Sequence, residues 1–251
     1  MCLGSSLRQP ATDRGDRIYA IGYVHGRLDL LRELLAKLEA HDASLPAPKN
    51  CHILLLGDLV DRGPDSAGVV KFLHEVATKT DRIIVLQGNH ESMMLQALDG
   101  EPGVLRAWLR VGGRETLQSY GIDPDRFAAD SELIAHANQV IPRAHLEWLR
   151  SLPLTARSGD YFFCHAGVRP GVPLRKQAAV DLLWIREEFL EAEHAYGAVV
   201  VHGHSVHTTV ESRPNRIGID TGAYRTGVLT AICLEGTGRT IISTQSMSHA
   251  A

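Results

Sequence analysis

The sequence predicts an α/β fold of two mixed β-sheets packed as a sandwich, flanked by helices and carrying a helical cap insertion. Three observations predict it. Three strand–turn–helix units follow one another at intervals of roughly 30 residues, the length that a crossover between parallel strands requires. Residues 95–154 then change to helical periodicity. Short apolar runs return after residue 160, spaced closely enough to predict an antiparallel second sheet from the later strands.

Taken in order, residues 17–22 (RIYAIG) read as a buried strand, followed by a helix over 28–40 with leucines at 28, 31, 34, 35 and 38 on one face. Residues 52–57 (HILLLG) form the second strand, ahead of the loop 58–64 and a helix near 66–78. Residues 82–87 (RIIVLQ) form the third, again with a polar turn and a helix behind it. In 95–154 the helical pattern is broken by Gly112-Gly113, Asp123-Pro124 and Pro142, which suits an insertion better than an independent domain. Strands resume at 161–164, 198–201, 216–219, 229–234 and 240–243. Residues 17–245 are thus read as one domain, with 1–16 and 246–251 as flexible termini.

Composition narrows the function classes. The 251 residues are 44% hydrophobic and 22% charged with a net charge of −3, which suits a globular core and gives no general pull toward nucleic acid or anionic membrane. No apolar run is long enough to span a bilayer, and the first residues lack an apolar signal core. Cys2, Cys51, Cys164 and Cys233 form no CxxC pair and read as free thiols, so a cytoplasmic protein is expected.

Chemistry gathers at the carboxyl ends of the strands, where open α/β sheets hold their ligands. The first strand runs into Tyr23 and His25, the second into Asp58 and Asp61, the third into Asn89 and His90. Strand 161–164 ends in His165, and 198–201 in His202 and His204. One such histidine is usually a packed or capped side chain; a set shared by five strands points to a site. Asp, Asn and His without cysteine suit Mn, Fe or Zn better than Ca or a thiolate-bound structural ion.

The blocks GDLVDRGP (57–64), GNHE (88–91), HAG (165–167) and HGH (202–204) resemble, in order and spacing, those of PPP-type metallophosphatases of the calcineurin-like superfamily. With NRIGIDTGAY (215–224), the resemblance is closest to their bacterial serine/threonine-phosphatase-like branch and covers about 17–235. It implies a metallophosphoesterase-like fold and two divalent metal ions, with manganese as first choice. Asp58 would bridge the ions, His25 would help bind the first, and Asn89, His165 and His204 would complete the second. His90, held by Asp61, would be the general acid that protonates the leaving oxygen, after attack by a metal-bound hydroxide. Arg62 would grip the phosphate, with Arg186 as the second arginine, although beside Glu187 and Glu188 it also fits a solvated helix face.

One position departs from the pattern. Family members read Gly-Asp-x-His-Gly where this chain has Gly22-Tyr23-Val24-His25-Gly26. A phenol reaches about two to three Å further than a carboxylate and carries charge only when deprotonated, against an ordinary pKa near 10. Tyr23 is therefore either a phenolate ligand to ferric iron, as in the related purple acid phosphatases, or a bystander beside a weakened first site; the second is favoured. The leading expectation is hydrolysis of phosphomonoesters such as phosphoserine or phosphothreonine. The alternative substrates are dinucleoside polyphosphates or other small phosphate esters, against which the resemblance sets Asp61, Arg62 and Glu91. A metal-impaired phosphate-binding or regulatory protein rests on Tyr23 alone.

Overall fold

The structure, a computed structural model, describes residues 9–244. Alternating side chains on its strands build three hydrophobic layers. On β1 (Asp16–Ile21), Ile18 and Ala20 face one way while Tyr19 and Ile21 face the other. On β6 (Val199–His202), Val199 and Val201 oppose Val200 in the same manner. A two-residue side-chain period on buried strands dictates this, because every strand then feeds a core on each face.

β1, β2 (Asn50–Leu55) and β3 (Ile83–Val85) are parallel neighbours. They are joined through α1 (Leu28–Ala43) and α2 (Ser66–Ala77), as the βαβ spacing predicts. Leu30, Leu31, Leu34 and Leu38 make the buried stripe of α1, each contributing about 1.5–3 kcal/mol by leaving water. Asp65 caps α2 by accepting a hydrogen bond from the Gly68 amide at 2.8 Å.

After α3 (Asn89–Leu98) come α4 (Val104–Trp108), a turn over Leu109–Gly113 kinked at Gly112, and α5 (Arg114–Ser119). α6 (Asp130–Val140) and α7 (Arg143–Ser151) complete the helical stretch. Their buried residues, among them Trp108, Leu117, Leu133 and Leu149, share one hydrophobic cluster with the stripes of α1 and α2.

The second sheet holds β4 (Thr155–Ser158), β5 (Tyr161–Cys164), β6, β7 (Glu211–Ser212) and β8 (Arg216–Gly218), in the order β4-β5-β6-β8-β7. α8 (Ala179–Trp184) and α9 (Glu187–Leu190) cover its outer face. Ile18, Leu54, Phe163, Val201 and Ile217 pack between the sheets, so the sandwich of two mixed sheets is present.

The antiparallel second sheet predicted from the later strands is corrected. β5, β6 and β8 run parallel, because the connection from β5 to β6 is long enough to carry helices across the face. The last two strands, β9 (Thr230–Glu235) and β10 (Gly238–Ser243), instead extend the first sheet antiparallel to β1. Both sheets thereby present strand ends to one edge.

Residues 11–16 of the lead expected to be flexible are hydrogen-bonded into the fold. The Ala11 amide bonds Asp160, and the Asp13 amide bonds Ser158 at 2.9 Å. The remainder of that expectation, and the expected tail 246–251, lie outside the described residues. Cys51, Cys164 and Cys233 are free thiols. Among the described residues no helix is long and apolar enough to cross a membrane.

Candidate metal centre

Five non-glycine residues with positive φ stand out among those described: His25 at 42°, Asp58 at 50°, Asp61 at 73°, Arg62 at 69° and His204 at 63°. All five come from the strand-end motifs. Left-handed backbone disfavours ordinary side chains, and such strain gathers where geometry outranks local preference. Here it shapes three loops, at 25, 58–62 and 204, that bring polar side chains together around one site.

Asp58 stands at that point, 2% exposed. One of its oxygens, Oδ2, lies 3.5 Å from His25 Nε2 and 4.0 Å from His90 Nε2; the other, Oδ1, lies 3.7 Å from His165 Nε2. Two groups of ligand atoms therefore meet on this one carboxylate: His25, Asp58 and His90, and Asp58, His165 and His204, each within 4.8 Å. A carboxylate with a different imidazole set on each oxygen has the form of a bridging ligand. Burial alone would raise its pKa, but the imidazoles of His165, His90 and His25 outweigh burial and hold it below the carboxylate range.

The histidines are oriented for ligation. His25 Nδ1 donates to Val60 O at 2.8 Å and His165 Nδ1 to Leu56 O at 3.0 Å, which leaves the Nε2 lone pairs facing the centre. Burial drives the His25 and His204 pKa values down to about 3 and lowers that of His165, so all three rings are neutral near pH 7. Asn89 Oδ1 lies 2.8 Å from His165 Nε2. Both are atoms able to ligate a cation, and their proximity suits a shared ion. The donor chemistry thus fits a divalent metal at the second group, while the first has His25 and Asp58 as ligands once His90 is set aside as a proton carrier.

Glu91, buried at the start of α3, accepts from the backbone amides of Asp58, Leu59, Val60 and Gly88 at 2.8–3.2 Å. It fixes the Asp58 loop against the Asn89-His90 turn. The motif containing Glu91 is visible in the sequence; its role as this brace is not.

His90 Nδ1 donates to Asp61 Oδ2 at 2.6 Å. Burial disfavours charge on His90, but Asp58 and the Asp61 hydrogen bond outweigh it and raise its pKa. Asp61 also accepts from Trp108 Nε1, 3.0 Å from both carboxylate oxygens, and from Thr116 Oγ1 at 2.6 Å. Both partners escaped the sequence reading, because an apolar helical stretch gives a packed Trp and a Thr no distinguishing signal.

Arg62 sends one guanidinium nitrogen to His25 Nε2 at 3.2 Å and another to His90 Nε2 at 2.9 Å, and stacks over Tyr224 at 4.8 Å. Arg186 donates from Nε to His204 Nε2 at 2.9 Å. Both arginines line a pocket of about 390 Å³ with Asp58, Asn89, His204, Asp220 and Tyr224. Asp220 and Tyr224 lie in the closing block, where no motif assigns them roles. Burial raises the Asp220 pKa to about 6.

Tyr23 also borders the pocket, 2% exposed. Its hydroxyl donates to the His165 carbonyl oxygen at 2.7 Å and lies 3.4 Å from His165 Nε2, so both contacts are on the second ligand group. Burial pushes its pKa well above 10. His202 does not reach the centre: its Nδ1 donates to Gly203 O, and its ring meets Phe189 edge-on. A larger cavity of about 980 Å³, around Tyr196 and Arg216, contains none of these residues.

A sequence profile described as calcineurin-like phosphoesterase matches residues 16–228. The chain belongs to the calcineurin-like phosphoesterases. This family hydrolyses phosphoester bonds with divalent metals, in agreement with the ligand groups around Asp58. Among its relatives, the symmetrical bis(5'-nucleosyl)-tetraphosphatase of Acidovorax sp. (strain JS42) is 34% identical over 157 residues, 61% of this chain and 44% of that enzyme. The match thus spans less than half the length of that relative. Serine/threonine-protein phosphatase 2 of Escherichia coli K12 is 27% identical over 221 residues, 84% of this phosphoesterase and 90% of that protein. A crystal structure provisionally described as a diadenosine tetraphosphatase superposes with a TM-score of 0.62 at 20% identity, covering 94% of this chain and 98% of that one. The protein tyrosine phosphatase of a psychrophilic Shewanella species gives 0.53 at 19% identity, covering 96% and 85%. These two likenesses concern the fold.

Proposed function

We propose that this phosphoesterase hydrolyses dinucleoside polyphosphates, using two divalent metal ions of which manganese is the first candidate. The observation that carries the catalytic reading is the convergence of Arg62 and Arg186, from different loops, on the imidazole nitrogens surrounding Asp58. A polyphosphate chain needs cationic and hydrogen-bond-donating groups along its length, and two planar guanidinium forks offer them. The substrate class is supported by the tetraphosphatase relatives at 34% identity. It takes precedence over the phosphomonoesters expected from the motifs.

His25, Asp58 and water would surround the first ion, with Tyr23 beside it as a bystander; Asp58, Asn89, His165 and His204 would surround the second. Bound ions would activate the attacking water and neutralise phosphate charge. Arg62 and Arg186 hold the phosphate oxygens, which draws the Arg62 guanidinium away from His90 Nε2. That nitrogen then carries the proton for the leaving oxygen, while Asp61 stabilises the resulting charge distribution on the ring.

A second reading, hydrolysis of phosphoserine or phosphothreonine, is supported by the E. coli phosphatase, whose match extends over 90% of its length. The free thiols support a cytoplasmic location. Turnover of metal-loaded protein on diadenosine tetraphosphate, compared with phosphoserine and phosphothreonine peptides, tests the choice. A higher kcat/KM on the dinucleotide is expected. Efficient turnover of phosphopeptides with none of the dinucleotide would establish the second reading instead.

A further inference from the structure

We propose that the kinked helical segment 104–119 is the positioning device for the acid catalyst, with Trp108 and Thr116 as positioning residues acting through Asp61. The proposal rests on the reading of His90 as general acid. Asp61 is fully buried and has left-handed backbone at φ 73°, so its conformation needs support from outside its own loop.

The side-chain support comes from this segment. Trp108, ahead of the kink, donates to both Asp61 oxygens at 3.0 Å; Thr116, behind it, donates to Oδ1 at 2.6 Å and accepts from the Asp61 amide at 2.9 Å, an amide that Ser66 Oγ of α2 also accepts from at 3.0 Å. With His90 on Oδ2, the carboxylate is held from three directions and its rotation is blocked. The turn between them frees two carbonyls from the regular ladder. Val111 O accepts from Arg62 Nε at 3.4 Å, and Gly112 O accepts from the Arg62 amide at 3.3 Å. A Cβ on Gly112, whose φ is 126°, would lie 2.5 Å from the Arg62 amide nitrogen, so glycine is required for this approach. The same segment therefore sets the acid dyad and the backbone of the phosphate-gripping arginine.

The test compares Thr116→Val, Thr116→Ser and Trp108→Phe with His90→Asn on phenyl phosphate, a poor leaving group, and p-nitrophenyl phosphate, a good one. Metal content and thermal unfolding are measured alongside. Thr116→Val keeps the shape and removes the hydroxyl, whereas Thr116→Ser keeps the hydroxyl. Thr116→Val and Trp108→Phe should lower kcat on phenyl phosphate roughly 10- to 100-fold, with much smaller losses on p-nitrophenyl phosphate and unchanged metal content. Thr116→Ser should stay near wild type on both. If His90→Asn shows this selectivity and Thr116→Val does not, the positioning role is overturned while the acid reading stands. Equal losses on both substrates in His90→Asn would overturn the acid reading and this proposal with it.

Discussion

The Tyr23 ring lies flat on that of His165, with centroids 4.6 Å apart and planes within 10° of parallel, and donates its hydroxyl proton to the His165 backbone carbonyl. A side chain in the position of a metal-binding carboxylate thus spends its polar atom on the neighbouring ligand. Gly203 permits this, since a Cβ there would meet the Tyr23 ring at 2.6 Å. Ionising the phenol would cost it the carbonyl hydrogen bond and place charge in a buried site near Asp58.

The first ion should accordingly be held more weakly than the second. Tyr23→Asp should raise metal stoichiometry from about one toward two ions per chain and increase turnover. Metal analysis after gel filtration checks the first and assay the second. Iron-loaded wild-type protein should be colourless in the region of phenolate charge transfer. A visible band that Tyr23→Phe bleaches would assign the phenolate role instead.

The requirement for an acid depends on the leaving group. A nucleoside diphosphate leaves through a phosphate oxygen whose pKa is near 6, whereas serine leaves as an alkoxide. His90→Asn should therefore cost roughly 10²–10⁴-fold with an alkyl phosphate and much less with diadenosine tetraphosphate. The acid works protonated, and Asp58 with Asp61 raises its pKa, so the wild-type alkaline limb should fall above the ordinary histidine value. Asp61→Asn removes one of these charges and should move that limb to lower pH. A limb that stays in place separates Asp61 from acid catalysis.

Arg62→Ala and Arg186→Ala should each weaken inhibition by inorganic phosphate roughly 10- to 100-fold, the range for hydrogen bonds to charged groups, without changing metal content. Unaltered inhibition in Arg186→Ala would remove that residue from the phosphate site and leave it a solvated side chain between α8 and α9.

Metal-free protein should lose stability in acid. His25 and His204 have folded pKa values pushed down to about 3 and His202 to about 4, chiefly by burial. Between those values and 6.5 the unfolded chain binds more protons, so stability is fully present above 6.5 and declines as pH falls toward 3–4. Urea midpoints between pH 7 and 4 measure this; a flat profile would show that the three rings are not held neutral.

Much of this site can be read from the sequence because each ligand follows a strand end and a short polar turn. Asp58, Asn89, His90 and His165 sit at such ends, and the backbone strain at His25, Asp61 and Arg62 is local to their motifs. Trp108 and Thr116 are hidden because their partner is 47 and 55 residues away in sequence. Their own surroundings look like ordinary helix. The parallel course of β6 and β8 is hidden for a related reason: strand length and spacing do not record on which sheet a strand closes.

The most direct test of a metal-dependent phosphoesterase centred on Asp58 is hydrolysis of diadenosine tetraphosphate by chelated and manganese-reloaded protein, with Asp58→Asn in parallel. The account predicts no activity after chelation, recovery with manganese, and the largest loss of any single substitution in Asp58→Asn, because one carboxylate serves both ligand groups. Full activity in metal-free protein, or in Asp58→Asn, would contradict it.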